Sequence, residues 1–514
     1  MGTDNRLVAV SNRLPIVLRR DAGDWRVEPG SGGLITALAP VLQDRGGLWI
    51  GWPGTEETEG LEHALDSASA QAGYDFKPVL LTEDEIEGHY YGFANEILWP
   101  LFHGFETRCN FDPAYWHHYR SSNRKFAAAI AEHSREGDFV WIHDYHLMLV
   151  ARELKELRPQ QRTAFFLHTP FPPPDIFFKL PWRAHILEGL LAADLVGFQT
   201  MRDRRNFTQC LQETRLSNLR LSGRGAVVKV EFRDREIRVG AFPISVDYEA
   251  ISARASSKDI ADGAWLFHEH FPNRRIMIGM DRLDYTKGIP ERLEAFRTAL
   301  RRYPYLNGKL SMVQVTVPSR GKVAEYENLR HEIERLVGDI NGELTQPGDW
   351  IPVHYIHRSL ARDEVYAYLR ASEIALVTPL RDGMNLVAKE YCACNVDETG
   401  VLILSEFAGA AAELRNGALL VNPYDVEGMA SAIHQALHMD IEERKKRMRK
   451  LREQVKRNDV FKWVDAVLEA AAARKLSDFP RGEELIPQTA LGSEKGPHSF
   501  SFDPAPGGFE DGGR

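Results

Sequence analysis

The sequence contains only four cysteines in 514 residues, and it has no long run of apolar residues. Cys392 and Cys394 form a C-x-C pair, but no second pair completes a four-ligand zinc set. Apolar runs stay short of the roughly 18 residues that a membrane-spanning helix needs, and the N-terminus soon becomes polar. We therefore expect no membrane span and no signal peptide, and we predict a protein of the reducing cytoplasm.

The sequence also lacks a large excess of positive or negative residues. Lys and Arg number 64 against 73 Asp and Glu, so the formal net charge is only -9. No overall field favours nucleic acid or an anionic membrane, and neither is expected as a partner. Any phosphate specificity must be local. The chain is 43% hydrophobic and long enough to form two or more domains with large cores.

Short apolar, β-branched runs recur along the chain, each followed by Gly, Pro or charged residues and then by a stretch of helical periodicity. This alternation predicts an α/β architecture with parallel sheets. The predicted strands are LVAVS (7–11), FVWIHD (139–144), TAFFLH (163–168), LVGFQT (195–200), RIMIGMD (275–281), LSMVQVTV (310–317), IALVTP (374–379), VLILS (401–405) and ALLVNP (418–423).

Two changes along the chain indicate its organisation. A strand-like IRVGAF is followed by Pro243 and then by a new helix, so we place a domain boundary near residue 248. Beyond Leu476 the composition shifts to Pro, Gly, Ser and acidic residues without periodicity. This composition predicts that residues 481–514 form a disordered tail.

Polar residues that directly follow apolar runs are candidate ligand contacts, because ligands bind beyond the carboxyl ends of the strands in open parallel sheets. His143, Asp144 and His146 follow one predicted strand, and His168 ends another that we expect to be its neighbour. Such a group could bind a metal, hold sugar hydroxyls or be purely structural. We favour sugar binding and predict no metal site, since no HExxH or DxD-like partner is present.

Glycines and cations mark two candidate phosphate sites. Arg13 follows the first predicted strand, and adjacent Gly32 and Gly33 in GSGGL could turn their amides towards a phosphate. An ordinary turn fits that loop equally well. In GMDRLDYTKGIPER, Arg282 and Lys287 lie five residues apart and could stabilise a leaving diphosphate. The alternative for this pair is two surface salt bridges.

The stretch IALVTPLRDGMNLVAKEY predicts a strand, a loop with Asp382 and Gly383, and a helix whose first amides are free. A helix N-terminus beside a glycine can bind an anion, and Asp382 could hold sugar hydroxyls. Glu390 lies eight residues beyond Asp382, which we expect to be about two turns along the helix. There its carboxylate could accept hydrogen bonds from a ribose diol, and a solvated helix carboxylate is the alternative.

Taken together, these stretches resemble the trehalose-6-phosphate synthases, the retaining glycosyltransferases of family 20. The resemblance covers about residues 5–470, through SNRLP, GGLITAL, GGLWIGWPG, NEILWPLFH, WIHDYHL, FFLHTPFP, GFQT, DRLDYTKGIPER, PSRG, VTPLRDGMNLVAKEY and VNPYD. It implies a GT-B fold, with two facing Rossmann-like domains and an active site in the cleft between them. Residues 1–247 would bind the acceptor and 248–457 the nucleotide sugar, while 458–480 would form a helix packing back on the first domain.

The resemblance also implies a reaction and its contacts. Glucose would move from a nucleotide-glucose, with UDP-glucose the expected donor, to glucose 6-phosphate, giving α,α-trehalose 6-phosphate without a metal or another cofactor. The matching acceptor-binding positions are Arg13, Trp52, Tyr90, Trp99, which also bears on the choice of anomer, Asp144 and Arg320. The matching donor-binding positions are Gly32, Gly33, Arg282, Lys287, Leu360, Asp382, Gly383, Met384, Asn385, Leu386, Val387, Ala388, Lys389 and Glu390. The matching catalytic positions are His168, Arg282, Lys287 and Asp382.

Other functions stay open at this point. Thr169 stands where some family members have an apolar residue, so a glucosylglycerol-phosphate synthase or a cyclitol-coupling relative is an alternative. Arg13, Tyr90, Trp99 and Arg320 together favour glucose 6-phosphate over both. A catalytically inactive regulatory homologue and a metal phosphohydrolase built on the HDYH cluster are further alternatives. The residues fix neither the donor nucleobase nor the number of copies, although we expect a homo-oligomer.

Overall fold

The computed structural model describes residues 6–21, 24–30, 33–214, 216, 219–223, 225–319, 324–345 and 350–472. Strands and helices alternate along most of this length. The strands are β1 Leu7–Arg13, β2 Ile16–Asp21, β3 Asp24–Pro29, β4 Leu48–Trp52, β5 Asp75–Pro78, β6 Phe139–His143, β7 Arg162–Phe166, β8 Leu195–Phe198, β9 Arg220–Ser222, β10 Val227–Phe232, β11 Arg235–Ala241, β12 Arg275–Arg282, β13 Leu310–Val317, β14 Val353–Ile356, β15 Ile374–Val377, β16 Val401–Ser405 and β17 Leu419–Val421.

Helices connect most of these strands. They are α1 Gly33–Arg45, α2 Leu61–Ala72, α3 Glu83–Glu85, α4 Trp99–Phe102, α5 Pro113–His133, α6 Val150–Leu157, α7 Pro174–Phe177, α8 Arg183–Leu190, α9 Met201–Glu213, α10 Tyr248–Ser256, α11 Lys258–Glu269, α12 Ile289–Arg302, α13 Ala324–Leu344, α14 Arg362–Ala371, α15 Leu386–Cys394, α16 Ala411–Leu414, α17 Val426–His438, α18 Ile441–Arg457 and α19 Val460–Ala472. Between α3 and α4 the chain continues as a π-helix, Ile86–Leu98.

The first sheet has nine strands in the order β5–β4–β1–β6–β7–β8–β11–β10–β9. Neighbours from β5 to β11 run parallel, and β10 and β9 complete the edge antiparallel. Every residue of β6 is buried, as expected for a parallel strand with helices on both faces. The order reverses direction between β1 and β6, so the carboxyl ends of these two strands form the switch point of this sheet.

The second sheet has six parallel strands in the order β14–β13–β12–β15–β16–β17. Its switch point lies between β12 and β15, because the chain order reverses there. A crevice for ligands is expected beyond these two strand ends. The α/β fold class with parallel sheets that the sequence predicted is confirmed.

Each strand predicted from the sequence is present, with ends that differ by at most two residues. The sequence prediction omitted the hairpin β2–β3 and the strands β4, β5, β9, β10 and β14. Strand β4, LWIGW, is fully buried, and its two tryptophans fill space on opposite faces of the sheet. It was missed because its glycine and aromatic residues do not form a β-branched apolar run.

The chain crosses between the two sheets twice. It leaves the first sheet after β11 through residues 242–247, and it returns between α18 and α19. At the return, the Val460 N–H donates to the carbonyl of Val246 at 3.1 Å. Helix α19 then packs on the first sheet, where the Trp463 ring centre lies 4.7 Å from that of Trp141. The domain limits 1–247, 248–457 and 458–480 stay predictions.

Candidate functional site

The carboxyl ends of the two sheets contact each other directly. A side chain at Gly383 would overlap the carbonyl oxygen of His168, and a Cβ at Gly33 would lie 2.8 Å from Leu386 Cδ1. The guanidinium carbon of Arg282 lies 5.8 Å from the centre of a Trp99 ring. Residues that follow strands of both sheets therefore share one cleft.

Arg13, Trp52 and Tyr90 form a cluster on the first wall of the cleft. Arg13 ends β1 opposite Trp52, the last residue of β4, and its guanidinium carbon lies 4.4 Å from the Trp52 ring centre. The rings of Trp52 and Tyr90 are 6.2 Å apart. A side chain at Gly54, whose φ is +88°, would crowd the Arg13 guanidinium, so this glycine is required for the packing. A cation and a phenol side by side can hold a phosphate group.

Asp144 has a strained backbone at the switch point of the first sheet. Its φ of 76° and ψ of 167° are nearly restricted to glycine and cost on the order of 1–3 kcal/mol elsewhere. Its N–H donates to the Phe166 carbonyl at 2.8 Å, and its Oδ1 accepts from the His168 N–H at 3.2 Å. These bonds hold the carboxylate beyond β6, where the sequence predicted a sugar contact.

His143, which ends β6, and His168, two residues beyond β7, are neighbours, as predicted, and they contact each other. His168 Nε2 lies 3.1 Å from His143 Nδ1, and His168 Nδ1 lies 3.3 Å from Gln199 Nε2. Gln199 Oε1 accepts from the Ile244 N–H at 3.0 Å, so the Gln199 nitrogen must face His168. Gln199 therefore donates to Nδ1, and the proton of the neutral His168 ring is on Nε2.

Burial lowers the pKa of His168 to about 3 and that of His143 well below its usual value. Both imidazoles are neutral at physiological pH. Because protein groups occupy both ring nitrogens of His168, its ring does not offer a proton to a ligand in this arrangement. The part of His168 that lies against the opposite wall is its backbone carbonyl, next to Gly383.

The second wall carries the predicted diphosphate contacts. Arg282 ends β12 with an exposed side chain. Lys287 is buried in the turn that follows, and its Nζ lies 2.6 Å from Asp382 Oδ2. Asn385 Nδ2 donates to the same Asp382 oxygen at 3.1 Å. Burial raises the Asp382 pKa, but Lys287 opposes this, and the net result is a lowered pKa. Lys287 is therefore already partnered, and a ligand would have to share it.

Helix α15 begins in this wall, and Asn385 caps it by accepting from the Ala388 N–H at 3.3 Å. Glu390 is the fifth residue of α15, closer to the N-terminus than the predicted two turns. Burial raises its pKa, with Arg362 opposing. Within the described ranges, no residue donates a hydrogen bond to the Glu390 carboxylate. A desolvated carboxylate without a donor is suited to a diol.

Other predicted donor contacts lie at different depths around α15. Lys389 is 1% exposed, and its Nζ lies 2.6 Å from Glu413 Oε2 and 2.8 Å from the Ile244 carbonyl. Its ammonium therefore faces the interior, and any donor contact here is left to the backbone. Leu360 lies in the loop between β14 and α14, and the side chains of Met384 and Ala388 are buried while those of Leu386 and Val387 are partly buried. Gly32 and Arg320 lie outside the described residues.

Two buried residues near the cleft were not predicted. His103 Nδ1 lies 2.8 Å from the Trp99 carbonyl, and burial lowers its pKa to about 4. Arg292 pairs with Asp281 at 2.6 Å and donates to the Lys287 carbonyl at 3.2 Å, so it supports the turn that carries Lys287. Each residue ends a motif already noted, NEILWPLFH and DRLDYTKGIPER, which is the signal that could have identified them.

No group of three or more His, Cys, Asp or Glu side chains is placed to hold a metal ion in the part of the chain that the structure describes. The four cysteines, all within that part, are free thiols. Within the same ranges, no helix combines the length and apolarity that a membrane crossing needs.

We expect the free energy of unfolding to fall as the pH is lowered from about 7.5 to 5.5. Burial depresses the pKa of His89 and His168 to about 3 and of His103 to about 4, whereas unfolded histidine titrates near 6.5. Between these pH values, the three histidines take up protons in the unfolded chain but not in the folded one. Each of them therefore lowers the free energy of unfolding by roughly 1.4 kcal/mol at pH 5.5. Urea unfolding at the two pH values measures this. His89→Gln should make the free energy of unfolding depend less on pH. An unchanged pH dependence in this variant would contradict the depressed pKa of His89.

Two sheets, one wholly and one mainly parallel, whose switch points face each other across one cleft, with cations and a helix N-terminus on one wall, define a glycosyltransferase of the GT-B class. The model of glycosyltransferase family 20 matches residues 5–473. The chain belongs to glycosyltransferase family 20.

Proteins similar to this one match over almost the whole chain. The trehalose-6-phosphate synthase of Mycobacterium tuberculosis is 44% identical over 490 residues, which cover 93% of this chain and 96% of that protein. The UDP-forming α,α-trehalose-phosphate synthase of Burkholderia xenovorans, solved with glucose-6-phosphate, aligns with a TM-score of 0.82 and 33% identity over 91% of this chain and 100% of that one. A protein from E. coli solved with UDP-2-fluoro glucose aligns with a TM-score of 0.80 and 34% identity over 92% and 100%.

Proposed function

We propose that this protein transfers glucose from UDP-glucose to glucose 6-phosphate and forms α,α-trehalose 6-phosphate with retention of configuration. The observation that carries this proposal is that two walls, one carrying Arg13 and the other Arg282 and Lys287, meet in one cleft. Arg13 and Tyr90 would hold the acceptor phosphate beside Trp52, and Arg282 and Lys287 would hold the diphosphate of the donor. The relatives with bound glucose-6-phosphate and with a UDP-sugar analogue support the pairing of these two ligands.

On the donor wall, the residues have distinct chemical roles in this proposal. Asp382 accepts hydrogen bonds from glucose hydroxyls, and Glu390 accepts them from the ribose diol. The first amides of α15, next to Gly383, face the diphosphate, because a helix N-terminus stabilises negative charge. Arg282 and Lys287 stabilise the charge that grows as the diphosphate leaves. Since these groups supply the positive charge, we propose that the reaction needs no metal or other cofactor.

The acceptor hydroxyl attacks from the face on which the diphosphate leaves. The bond between glucose C1 and the diphosphate oxygen breaks, a bond from C1 to the acceptor oxygen forms, and the diphosphate takes the hydroxyl proton. This course is supported by the neutral His168 ring, whose nitrogens are both occupied. In this proposal Asp144 orients the acceptor, which its strained backbone and its bond to the His168 N–H support. Contact between the two walls excludes water that would otherwise intercept the sugar.

Product analysis tests the proposed function. Purified protein is mixed with glucose 6-phosphate and, separately, UDP-, GDP- and ADP-glucose, with a chelator present. We expect trehalose 6-phosphate, identified by NMR as the α,α anomer, with UDP-glucose as the best donor. Parallel reactions with glycerol 3-phosphate test the alternative acceptor. Product with glycerol 3-phosphate alone, or none with any donor, would contradict the proposal.

We expect Arg13→Ala and Tyr90→Phe to raise the KM for glucose 6-phosphate about tenfold or more, because each removes a hydrogen bond to a charged phosphate. The affinity for UDP, measured by calorimetry, should stay close to that of the wild type. Unphosphorylated glucose serves as the control, since it lacks the group that these residues would hold. It should be a poor acceptor, and the variants should barely change its use. Equal efficiency of glucose and its 6-phosphate would show that this cluster does not bind the phosphate.

We further propose the domain limits 1–247 for the acceptor domain and 248–457 for the donor domain, with 458–480 returning to the first. The packing of α19 on the first sheet supports the last of these.

A cytoplasmic location is supported by the four free thiols, three of them buried. Size-exclusion chromatography with light scattering measures whether the expected homo-oligomer forms.

A further inference from the structure

Ile244, in the crossing segment 242–247, is hydrogen-bonded on both sides by side chains from different halves of the chain. Its N–H donates to Gln199 Oε1 at 3.0 Å, and its carbonyl accepts from Lys389 Nζ at 2.8 Å. Ile244 is 2% exposed, so water does not compete for either bond. The backbone of Ile244, between the two sheets, is thus hydrogen-bonded to one side chain from each half of the chain.

On the side of the first sheet, the connection reaches the candidate reaction centre in one step. Gln199 follows β8, and its Nε2 donates to His168 Nδ1 at 3.3 Å. His168 in turn places its carbonyl against Gly383 on the other wall. The amide of Gln199 therefore fixes the His168 ring and the Ile244 N–H at the same time.

On the side of the second sheet, the connection reaches the helix that begins at the candidate diphosphate site. Lys389 precedes Glu390 in α15 and pairs with Glu413 in α16 at 2.6 Å. Glu413 also accepts from Asn458 Nδ2 at 3.4 Å, where the chain crosses back. A buried ammonium has no alternative partner in water, so its bond to the Ile244 carbonyl is held firmly.

We propose that Gln199 and Lys389 are positioning residues, which align the two walls of the cleft through their shared hydrogen bonds to Ile244. A rotation of the 242–247 segment shifts the His168 side and the α15 side together, because both are fastened to the same peptide. The hydrogen bonds to Ile244 then determine two features together. One is the contact of the His168 carbonyl with Gly383, and the other is the position of the α15 N-terminus. This inference rests on the proposed function, since it assigns these residues to the alignment of that reaction.

A double-mutant cycle on turnover tests the link. The first variant is Gln199→Leu. The second is Lys389→Met with Glu413→Leu, which removes both charges of the buried pair and avoids an unpaired one. We expect each to lower kcat about tenfold or more and to change both KM values less than about threefold. Combined, they should lower kcat little further than the stronger of the two, because both act through Ile244. If the fall in kcat of the combined variant equalled the product of the two separate falls, the proposal would be overturned.

Gln161→Leu is the matched control, because Gln161 is also a buried glutamine whose side chain has two hydrogen-bond partners in the first half of the chain. It donates to the Asp138 carbonyl at 2.6 Å and accepts from Ser134 at 3.4 Å, at the amino ends of the strands and away from the cleft. We expect a similar fall in Tm and an unchanged kcat. An equal loss of kcat in this control would mean that destabilisation alone explains the result for Gln199→Leu.

The ¹⁵N NMR signals of the histidine rings test the link without activity. The wild-type protein should show His168 with a proton on Nε2 and none on Nδ1. Lys389→Met with Glu413→Leu should shift these signals although neither residue contacts His168, whereas Gln161→Leu should leave them unchanged. Unmoved His168 signals in the Lys389 and Glu413 variant would overturn the coupling. A wild-type protein that makes no trehalose 6-phosphate would instead defeat the proposed function, and the NMR comparison would still decide the link.

Discussion

Arg282→Ala is expected to lower kcat about a hundredfold or more, because it removes a charge that stabilises the departing diphosphate. Arg282 is exposed at the end of β12, and its guanidinium carbon lies 5.8 Å from the centre of the Trp99 ring. Its truncation therefore leaves no buried group unpaired. The Tm should therefore stay close to the wild-type value. Initial-rate measurements with UDP-glucose and glucose 6-phosphate give the change in kcat.

Lys287→Ala should lower kcat by a similar factor and also lower the Tm. The variant leaves the Asp382 carboxylate buried without its ion-pair partner, which typically costs about 3–5 kcal/mol. Arg302→Ala is the control, since Arg302 lies at the far end of α12 with a half-exposed side chain. It should keep wild-type turnover. Near-wild-type kcat in both Arg282→Ala and Lys287→Ala would place the diphosphate elsewhere.

Gly383→Ala is expected to lower kcat/KM about a hundredfold, because a methyl group at this position would overlap the carbonyl oxygen of His168. The backbone of Gly383 also packs closely against that of Gly409, where a Cβ would overlap the Gly383 carbonyl oxygen, so the loop has little room to shift. The two walls would have to separate. Kinetics and UDP calorimetry on the same preparation distinguish a lost alignment from lost donor binding.

Gly342→Ala is the matched control for this substitution. A Cβ at Gly342, in the last turn of α13, meets no atom within 4 Å. The substitution should raise stability by roughly 0.5–1 kcal/mol, because alanine favours the helix, and it should leave activity unchanged. Wild-type kcat/KM in Gly383→Ala would mean that the contact with His168 opens during the reaction.

The strands that carry the candidate site could be predicted because their signal is local. A parallel strand covered by helices on both faces is apolar along its length, so β6, β7, β12 and β15 appear in the sequence as continuous apolar runs. The polar residue after each run marks the carboxyl end. Asp144, His168, Arg282 and Asp382 were identified in this way, and the contact between the His143 and His168 rings follows from the pairing of β6 with β7.

The aromatic wall of the cleft was less accessible from the pattern of residues. Tyr90 and Trp99 belong to one continuous helical segment whose middle, Ile86–Leu98, is a π-helix. A π-helix places side chains at an angle that the usual period of 3.6 residues does not describe. Only the resemblance to a family pointed to these two residues, and the structure brings both to the cleft.

The sequence by itself determined the α/β class, the positions of most strands along the chain and the polar residues at their ends, because these depend on neighbours along the chain. The tertiary structure alone decided the partners of those residues. Lys389 stands in the predicted donor motif, yet its ammonium bonds the Ile244 carbonyl, 145 positions away in the sequence. Gln199 appears in GFQT as an ordinary polar residue after a strand, and only the fold places it between His168 and Ile244. Burial makes such long-range hydrogen bonds obligatory, and no local pattern records which distant group completes them.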